Sequence, residues 1–291
     1  MEDILRPIYQ ERASQKNTLG VLIIEKKRPN SPVTDNFDVI LLIIVKEAEQ
    51  PWYVKHYEFN DKTAAMHIVD ETLLTKWMDT STFRRSVEWI IYGKTVFDRN
   101  EYIANLKEQL RNFPQEKREL KMAMEFSKLI RSYMESKDLF ESDQHLDAYS
   151  RMLHSLHYLA RLAIIEKGYH PEITVWNQVK RIDPEVYKLY EELIKSNEDP
   201  GKRVELMLLA VEFAIRSRAE NCAKHLLNIM TSREEAWTFG ELKVHPDIQP
   251  YTLELSSTIE YLVGKGMIEV VQSETKGKGV FHRKYKTNVD R

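Results

Sequence analysis

The sequence predicts an α+β protein in which three segments of different pattern follow one another along 291 residues. In the first segment, β-branched runs alternate with helical patterns. The second has the spacing of amphipathic helices throughout, and the third combines short helices with two strands joined by a glycine-containing turn. Since a chain of this length usually forms more than one domain, we expect domains at residues 1–114, 115–232 and 233–291.

The first segment has the signals of a sheet. Two apolar runs, Leu19–Ile24 and Phe37–Val45, predict strands near its centre. Trp52–Phe59 and Thr63–Val69 flank a turn and predict a hairpin. Asp70 precedes apolar residues at helical spacing, so we expect it to cap a helix.

The middle segment predicts a bundle of antiparallel helices, because long amphipathic stretches are separated by short breaks. The predicted helices are Leu120–Lys137, Asp143–Lys167, Pro184–Ser196 and Gly201–Met230. Gly168 and Pro171 follow the second helix, and Asp199 with Pro200 precedes the last, as expected of helix ends.

The last segment predicts a small winged helix-turn-helix. Phe239–Leu242 and Leu253–Val263 have helical patterns, while Met267–Gln272 and Val280–Tyr285 have those of strands. The turn Lys276–Gly279 contains two glycines, which supply the positive φ of a hairpin turn.

Charge and composition exclude several classes of function. With 43 Lys and Arg against 45 Asp and Glu, the formal net charge is −2, which gives no global attraction to nucleic acid or to an anionic membrane. Any site for a polyanion must therefore be local. The longest uncharged apolar run, Val39–Val45, is too short to span a bilayer as a helix. We therefore expect no membrane partner.

The single cysteine, Cys222, excludes an internal disulfide and favours a reducing compartment. The N-terminus is acidic and lacks the pattern of a signal peptide, so a cytoplasmic location is expected. Cys222 could be a reactive thiol, but its apolar neighbours in a predicted helix favour a core position.

Thr34–Leu42 contains the sharpest local signal, because polar residues directly precede a strongly apolar strand. Here the sequence resembles the nucleotidyltransferase superfamily of the kanamycin-nucleotidyltransferase type. The resemblance implies a strand ending in Gly-Ser, a loop, a second strand opening with Asp-x-Asp, and a third carboxylate on a neighbouring strand. These acids would hold two Mg²⁺ on a nucleoside triphosphate, and Mn²⁺ is the alternative ion.

The spacing of this motif agrees with the resemblance, but its residues depart from it. Asn36 lies eleven residues after Glu25. The resemblance implies the same spacing between the Ser and the first metal-binding Asp of the family. However, Ile24 and Glu25 replace Gly-Ser, and Asn36 replaces the first Asp. The position of the third carboxylate aligns with about Ala65, which has no acid group. Asp38 is the acid that remains.

These departures oppose the standard chemistry. Mg²⁺ prefers carboxylate oxygens, and two-metal phosphoryl transfer depends on the charge that the metals supply. Ile24 adds a branched side chain and Glu25 a negative charge where phosphates would approach. Since strand side chains alternate, we expect Asp35 and Asp38 to face opposite sides while Asn36 and Asp38 share one, so Asp35 does not replace the missing acid.

Two interpretations of Asp38 remain open. It either keeps a residual contact with metal or nucleotide, or it is a strand-end carboxylate bonded to loop amides. His67 has the parity of Ala65, so Asp38 and His67 could hold Mn²⁺ or Zn²⁺. A satisfied strand histidine is the favoured alternative.

The resemblance extends over roughly residues 1–230. Val87–Asp98 is similar to the family segment that closes the catalytic domain, and Leu153–Arg161 followed by Gly168–Pro171 is similar to its helical companion domain. The layout of transferase, bundle and winged helix also resembles bacterial nucleotidyltransferase-like proteins of this length. That layout predicts a mixed sheet domain of the nucleotidyltransferase fold.

The bundle has candidate sites of its own. Arg218 and His225 are separated by six residues and lie on one side of a helix, a spacing similar to that of HEPN ribonucleases. A chance match is the favoured alternative. A set of polar and aromatic side chains could line an acceptor groove, but a helix–helix interface is the favoured alternative. It consists of His154, His157, Tyr158 and Arg161.

Charge separates along the last segment. Residues 233–271 have three Lys or Arg against seven Asp or Glu, while residues 272–291 have six against two. The basic hairpin residues that could contact phosphates are Lys276, Lys278, Arg283, Lys284 and Lys286. The predicted recognition helix presents Glu254 and Glu260, which oppose binding to phosphates.

The sequence therefore predicts a nucleotidyltransferase-like protein that lacks standard two-metal transfer and acts as a binding or regulatory protein. Its partner would be a nucleotide, nucleic acid or protein. One alternative is an active transferase with an unusual metal site, which would need Mg²⁺ or Mn²⁺ and a nucleoside triphosphate. A DNA-binding regulator that uses the winged helix is a second alternative, and a ribonuclease is a third. Homodimer formation is left open.

Overall fold

The computed structural model describes residues 2–80 and 82–288, and its chain forms two compact units. The first unit comprises residues 1–114 and 172–174. The second comprises residues 115–171 and 175–291. The helical segment and the C-terminal segment thus belong to the same unit, and the predicted domain boundary near residue 232 lies inside it.

The first unit is an α+β domain built on a five-stranded mixed sheet with the strand order β3-β4-β2-β1-β5. Strands β2 and β4 are parallel, and the other pairs are antiparallel. Its elements are α1 (Glu2–Ser14), β1 (Thr18–Glu25), a 3₁₀ helix (Pro32–Thr34), β2 (Val39–Val45), β3 (Trp52–Phe59), β4 (Lys62–Asp70), α2 (Glu71–Thr80), α3 (Arg85–Tyr92), β5 (Lys94–Asp98) and α4 (Tyr102–Asn112).

The sequence predictions for this sheet are confirmed. The two apolar runs form β1 and β2, and the next two form the antiparallel hairpin β3-β4. The Asp70 carboxylate accepts a hydrogen bond of 2.7 Å from the Leu73 backbone N–H, so Asp70 caps α2 as expected.

The two faces of the sheet pack against different helices. One face, here called the α2–α4 face, buries Ile24, Ile40 and Ala65 against residues of α2, α3 and α4. The other buries neighbours of opposite parity, such as Leu41 and Met66, against α1. Side chains alternate along a strand, and β2 is buried along its whole length because both faces are covered.

The second unit begins as a helical bundle in which α5, α6 and α9 pack together, with α7 and α8 against α6. The helices are α5 (Gln115–Glu141), α6 (His145–Glu166), α7 (Val175–Ile182), α8 (Pro184–Lys195) and α9 (Pro200–Met230). The four predicted helices are confirmed, and Asp199 caps α9 through the Gly201 N–H. The prediction omitted α7, whose short amphipathic pattern lies between Pro171 and Pro184.

The C-terminal segment forms a winged helix-turn-helix, as predicted. A three-stranded sheet of order β6-β8-β7 accompanies its helices. The elements are β6 (Trp237–Thr238), α10 (Phe239–Val244), a 3₁₀ helix (Pro246–Tyr251), α11 (Leu255–Gly264), β7 (Ile268–Glu274) and β8 (Phe281–Thr287). Leu242, Ile259 and Tyr285 share one hydrophobic core with Met124 of α5 and Leu226 of α9. The segment is therefore packed onto the bundle.

Candidate functional site

Asp38 lies directly before β2, at the start of the parallel pair β2-β4, and is held by groups of its own unit. Its Oδ2 accepts hydrogen bonds from the Thr63 backbone N–H at 2.9 Å and from the Thr63 hydroxyl at 3.4 Å. The Lys26 Nζ lies 3.1 Å from its Oδ1. The Thr63 backbone N–H and then Lys26 lower the pKa of Asp38. The carboxylate is therefore ionised and already has a cation beside it.

Asn36 and Asp35 do not continue β2. Both residues have positive φ, 67° for Asn36 and 50° for Asp35, and β2 begins only at Val39. The expectation that strand alternation places Asn36 on the face of Asp38 is wrong, because left-handed backbone interrupts the alternation. The Asn36 Oδ1 instead accepts a hydrogen bond from the Ser31 N–H at 3.3 Å.

Helix α3 anchors the loop that leads to Asp38. Arg85 donates to the Asp35 carboxylate at 2.6 Å and to the Pro32 carbonyl at 2.7 Å. The buried Trp89 donates its indole N–H to the Val33 carbonyl at 2.7 Å. These bonds fix the loop at successive points, so Arg85 and Trp89 position the candidate site. The sequence reasoning missed both roles because they join residues about fifty or more positions apart.

The remaining motif positions, Ile24, Glu25 and Ala65, do not bring further carboxylates to the α2–α4 face beside Asp38. Ile24 is buried and Glu25, the last residue of β1, is exposed. Ala65 is 1% exposed and pairs with Ile40 across the parallel ladder. The position aligned with the third carboxylate is thus a buried apolar contact on the α2–α4 face.

His67 lies on the same face, inside a cluster of aromatic rings. Its Nδ1 accepts a hydrogen bond from the Trp52 indole N–H at 3.1 Å, and its ring centroid lies 4.8 Å from that of Trp89. Burial lowers the pKa of His67 to about 4. The imidazole is therefore neutral at pH 7, and because Nδ1 accepts, its proton lies on Nε2. Trp77 and Phe83 complete the cluster.

Asp38 and His67 thus have separate partners, Lys26 with Thr63 for one and Trp52 for the other. Within residues 2–80 and 82–288, no group of three or more His, Cys, Asp and Glu is placed to hold a metal ion. The Asp38–His67 metal pair stays a prediction. One signal could have indicated Lys26 as the partner of Asp38. Antiparallel pairing of β1 with β2 places Glu25 opposite Val39, and therefore Lys26 beside Asp38.

Glu88 of α3 binds the short segment 172–174 of the first unit. Its Oε1 accepts a hydrogen bond of 2.7 Å from the Ile173 N–H, and the Tyr92 hydroxyl donates to Glu172 at 3.3 Å. Burial raises the pKa of Glu88. A buried carboxylate with a backbone donor is a structural anchor, and no pattern in the sequence indicated it.

In the bundle, Arg161 is buried rather than part of a polar surface. It is 2% exposed and its Nη2 lies 2.9 Å from Glu125 on α5. Of the other three residues in this predicted set, His154 is exposed, while His157 and Tyr158 are half-buried. The His157 ring lies near the ring of Trp176. The helix–helix interpretation is therefore correct for Arg161.

Arg218 and His225 of α9 have different partners. Arg218 is paired with Glu166 at 2.9 Å and Asp183 at 3.5 Å. The His225 Nδ1 lies 2.9 Å from the Tyr251 hydroxyl, and burial lowers the pKa of His225. The structure therefore gives both residues roles in packing.

Cys222 lies in the core of the second unit. It is 1% exposed, and burial raises the pKa of its thiol. Since thiolate is the nucleophilic form, these properties agree with the predicted core position.

The winged helix presents its basic residues in two ways. Lys276 and Lys278 are exposed on the turn between β7 and β8, while Lys284 and Lys286 are half-buried on β8. Arg283 lies 3.0 Å from Glu260 of α11. The turn is thus the most accessible part of the predicted basic surface.

The predicted recognition helix α11 contacts the bundle. Glu254, which precedes it, lies 3.5 Å from Arg131 of α5. Lys265, which follows it, lies 3.5 Å from Glu212 of α9, and the Tyr261 ring contacts Phe126. One side of α11 is therefore occupied by the helices of its own unit.

Comparison with protein families gives three successive matches. Residues 1–118 match the nucleotidyltransferase-like family. Residues 119–218 match a family described as the YgxA-like substrate binding domain, and residues 224–287 match a helix-turn-helix domain family. None of the described helices is both long enough and apolar enough to cross a membrane. The fold and these matches define a nucleotidyltransferase-like protein with a substrate-binding-type bundle and a helix-turn-helix domain.

Two relatives match nearly the whole chain. One is a Bacillus subtilis (strain 168) protein described as "Uncharacterized protein YgxA", which is 49% identical over 98% of this chain and 97% of its own length. The other is the crystal structure of a nucleotidyltransferase-like protein from Exiguobacterium sibiricum 255-15, with 39% identity, a TM-score of 0.82, and coverage of 99% of this chain and 100% of that one. The chain belongs to the family of YgxA.

Proposed function

We propose that the first unit is a nucleotidyltransferase-like domain that does not perform standard two-metal nucleotidyl transfer, and that the protein acts by binding and regulation. The observation that carries this proposal is the state of Asp38. The remaining acid of the motif is paired with Lys26 at 3.1 Å and accepts the Thr63 N–H, so a metal ion would have to displace these partners.

The other motif positions support the same proposal. The Asn36 Oδ1 is used by the Ser31 N–H, and Ala65 contributes a methyl group to the core. Two divalent ions need several carboxylate oxygens for charge and coordination. One carboxylate with a lysine beside it has no net charge to offer them.

Lys26 indicates the class of ligand that this corner would accept. It follows Ile24 and Glu25, where the resemblance implies that phosphates approach, and its side chain is 20% exposed. An ammonium group is a common partner of phosphate oxygens. We therefore infer that a phosphate-containing ligand, such as a nucleotide, would bind without a metal, with the three N–H donors of Lys26 shared between the phosphate and the Asp38 carboxylate.

A thermal-shift titration tests this proposal. The full chain is heated with each of the four ribonucleoside triphosphates, with and without Mg²⁺ or Mn²⁺, and release of pyrophosphate is assayed in parallel. A ligand at 100 times its Kd adds about 2.7 kcal/mol, and each kcal/mol moves the midpoint by roughly 2–4 °C. We expect any shift to be independent of metal, and no pyrophosphate.

Matched variants make the outcome decisive. Lys26→Gln should abolish a metal-independent shift, while Glu25→Gln, which removes an exposed negative charge beside the phosphates, should preserve or increase it. A shift that requires metal and disappears in Asp38→Asn, together with pyrophosphate release, would overturn the proposal and establish the active transferase instead. Absence of any shift would refute nucleotide binding at Lys26.

DNA binding by the winged helix is a second candidate function, favoured by the helix-turn-helix match over residues 224–287 and by the exposed wing lysines Lys276 and Lys278. Binding through phosphates weakens steeply with salt. Neutralising both lysines should reduce the slope of log K against log salt by about 2. Affinity that does not change with salt would contradict this function.

The ribonuclease hypothesis is less well supported, because Arg218 is paired with Glu166 and Asp183 and His225 with Tyr251. RNA cleavage that is lost in His225→Ala, with the fold retained, would revive it.

A further inference from the structure

Helix α9 carries a stripe of large apolar side chains that the chain itself leaves exposed. Leu206 is 58% exposed, Leu209 is 67% and Phe213 is 75%. Their spacings of three and four residues place them in line along one side of the helix. The opposite side is buried in the bundle and includes Val204, Met207, Val211 and Ile215. Contiguous exposed apolar side chains of this size are typical of an interaction surface.

Charged residues continue the stripe at both ends. Lys202 precedes Leu206 by four residues, and Arg216 and Glu220 follow Phe213 at three and seven. All three are exposed. Together the six positions, here called the α9 stripe, alternate spacings of four and three. This is the 3.5-residue repeat with which two helices pack side by side.

The residues of the α9 stripe are complementary to a second copy of themselves in the antiparallel direction. With the two-fold axis at residue 211, Leu209 lies opposite Phe213 of the second copy. Lys202 lies opposite Glu220, and Leu206 lies opposite Arg216, whose aliphatic stem can cover it. A parallel pair would instead place Lys202 opposite Lys202 and Glu220 opposite Glu220, so the charges select the antiparallel arrangement.

We propose that two copies of this chain associate through the α9 stripe, with their α9 helices antiparallel across a two-fold axis. The arrangement has an apolar centre and a charged rim, as stable interfaces do, and it is isologous, the commonest symmetry of homodimers. The stripe is about 27 Å long at the helical rise of 1.5 Å per residue.

Within the chain, Lys202 has a weak competing contact. Its Nζ lies 3.7 Å from the Glu198 carboxylate, and both side chains are more than half exposed. Exposed pairs of this kind contribute little to stability. Lys202 therefore remains available to Glu220 of the second copy.

Sedimentation velocity on the full chain over a micromolar concentration series tests the proposal. We expect a dimer, and we expect Phe213→Glu to weaken it by about 30-fold or more, because each dimer would bury two carboxylates at its apolar centre. Leu253→Glu is the matched control. Leu253 is 81% exposed and lies outside the stripe, so this change should leave the dimer intact. A monomer at every concentration, or a dimer indifferent to Phe213→Glu, would overturn the proposal.

Charge reversal tests the antiparallel register. Lys202→Glu and Glu220→Lys should each weaken the dimer about 3- to 10-fold at low salt, because each places like charges opposite one another. The double variant exchanges the two charges and should restore the affinity. A double variant as weak as the sum of the single changes would refute this register.

Discussion

The corner of the first unit around Asp38 and the wing of the second unit differ in how they use charge. At the corner, Asp38 is paired with Lys26 and Asp35 with Arg85. On the wing, Lys276 and Lys278 are exposed on a turn. Charges of the first kind hold the chain in place, whereas charges of the second kind are accessible to another molecule.

The corner around Asp38 can therefore keep the backbone of a nucleotidyltransferase-like site without the residues that metal binding needs. The loop before Asp38 is anchored by Arg85 and Trp89 of α3, and the carboxylate is bonded to the neighbouring strand. Such bonds preserve the backbone of a nucleotidyltransferase-like corner whatever the remaining motif residues are. The corner should therefore respond to changes in its packing, its neutral histidine and its ion pair, in that order of size.

The largest effect is expected from Trp89. Trp89 is fully buried, packs near His67 and Phe83, and donates to the Val33 carbonyl. Trp89→Ala should destabilise the first unit by about 3–5 kcal/mol, through the cavity and the lost bond. Urea unfolding followed by fluorescence measures this loss.

Trp52→Ala provides the matched comparison within the same cluster. Trp52 is 43% exposed, so its removal should cost clearly less than that of Trp89, although His67 loses its donor. Equal losses for the two variants would contradict the view that the burial of Trp89 and its bond to the loop make it the larger contributor.

A smaller effect is expected from acid, through His67. Burial lowers the pKa of His67 to about 4, from an ordinary value near 6.5. Between these pH values the unfolded chain therefore binds more protons than the folded chain. The contribution of the neutral His67 to the free energy of unfolding is fully present above pH 6.5 and is lost as the pH falls towards 4. The loss is about 3 kcal/mol.

His67→Asn isolates this contribution, because the amide oxygen can still accept the Trp52 N–H but does not titrate. The free energy of unfolding should fall less steeply between pH 6.5 and 4.5 in this variant than in the parent chain. Parallel pH profiles would mean that His67 is not the group responsible.

The sequence was informative where local pattern decides structure. Uniform apolar runs predicted β1 and β2, and residues near Gly279 predicted the wing turn, where its φ is indeed 75°. Changes in these patterns predicted three successive segments, of which the second and third lie in one compact unit. The resemblance supplied the nucleotidyltransferase-like fold, on the motif around Asp38.

The candidate site was less predictable, since its contacts join distant parts of the chain. Arg85 and Pro32, or Asp38 and Thr63, are brought together by tertiary folding and leave no periodic signal. The assumption that strand alternation reaches Asn36 failed because two residues before β2 adopt left-handed backbone. For Arg161 the sequence favoured a helix–helix interface over a groove surface but could not name its partner, because the buried carboxylate that pairs with it, Glu125, lies on another helix.

The smallest effect is expected at the Asp38 ion pair itself. The hydrogen bond from the Thr63 backbone N–H is the largest single cause of the lowered pKa of Asp38, Lys26 lowers it through both a hydrogen bond and its charge, and the Thr63 hydroxyl is the smallest cause. Lys26→Gln should therefore raise this pKa towards its ordinary value only in part, and Thr63→Ala, which keeps the backbone N–H, should raise it less. A carboxyl NMR titration measures both. If the pKa did not respond to Lys26→Gln, Lys26 would not be the counter-ion that opposes metal binding at Asp38. The contrast between paired charges around Asp38 and accessible charges on the wing would then no longer hold for the Asp38–Lys26 pair.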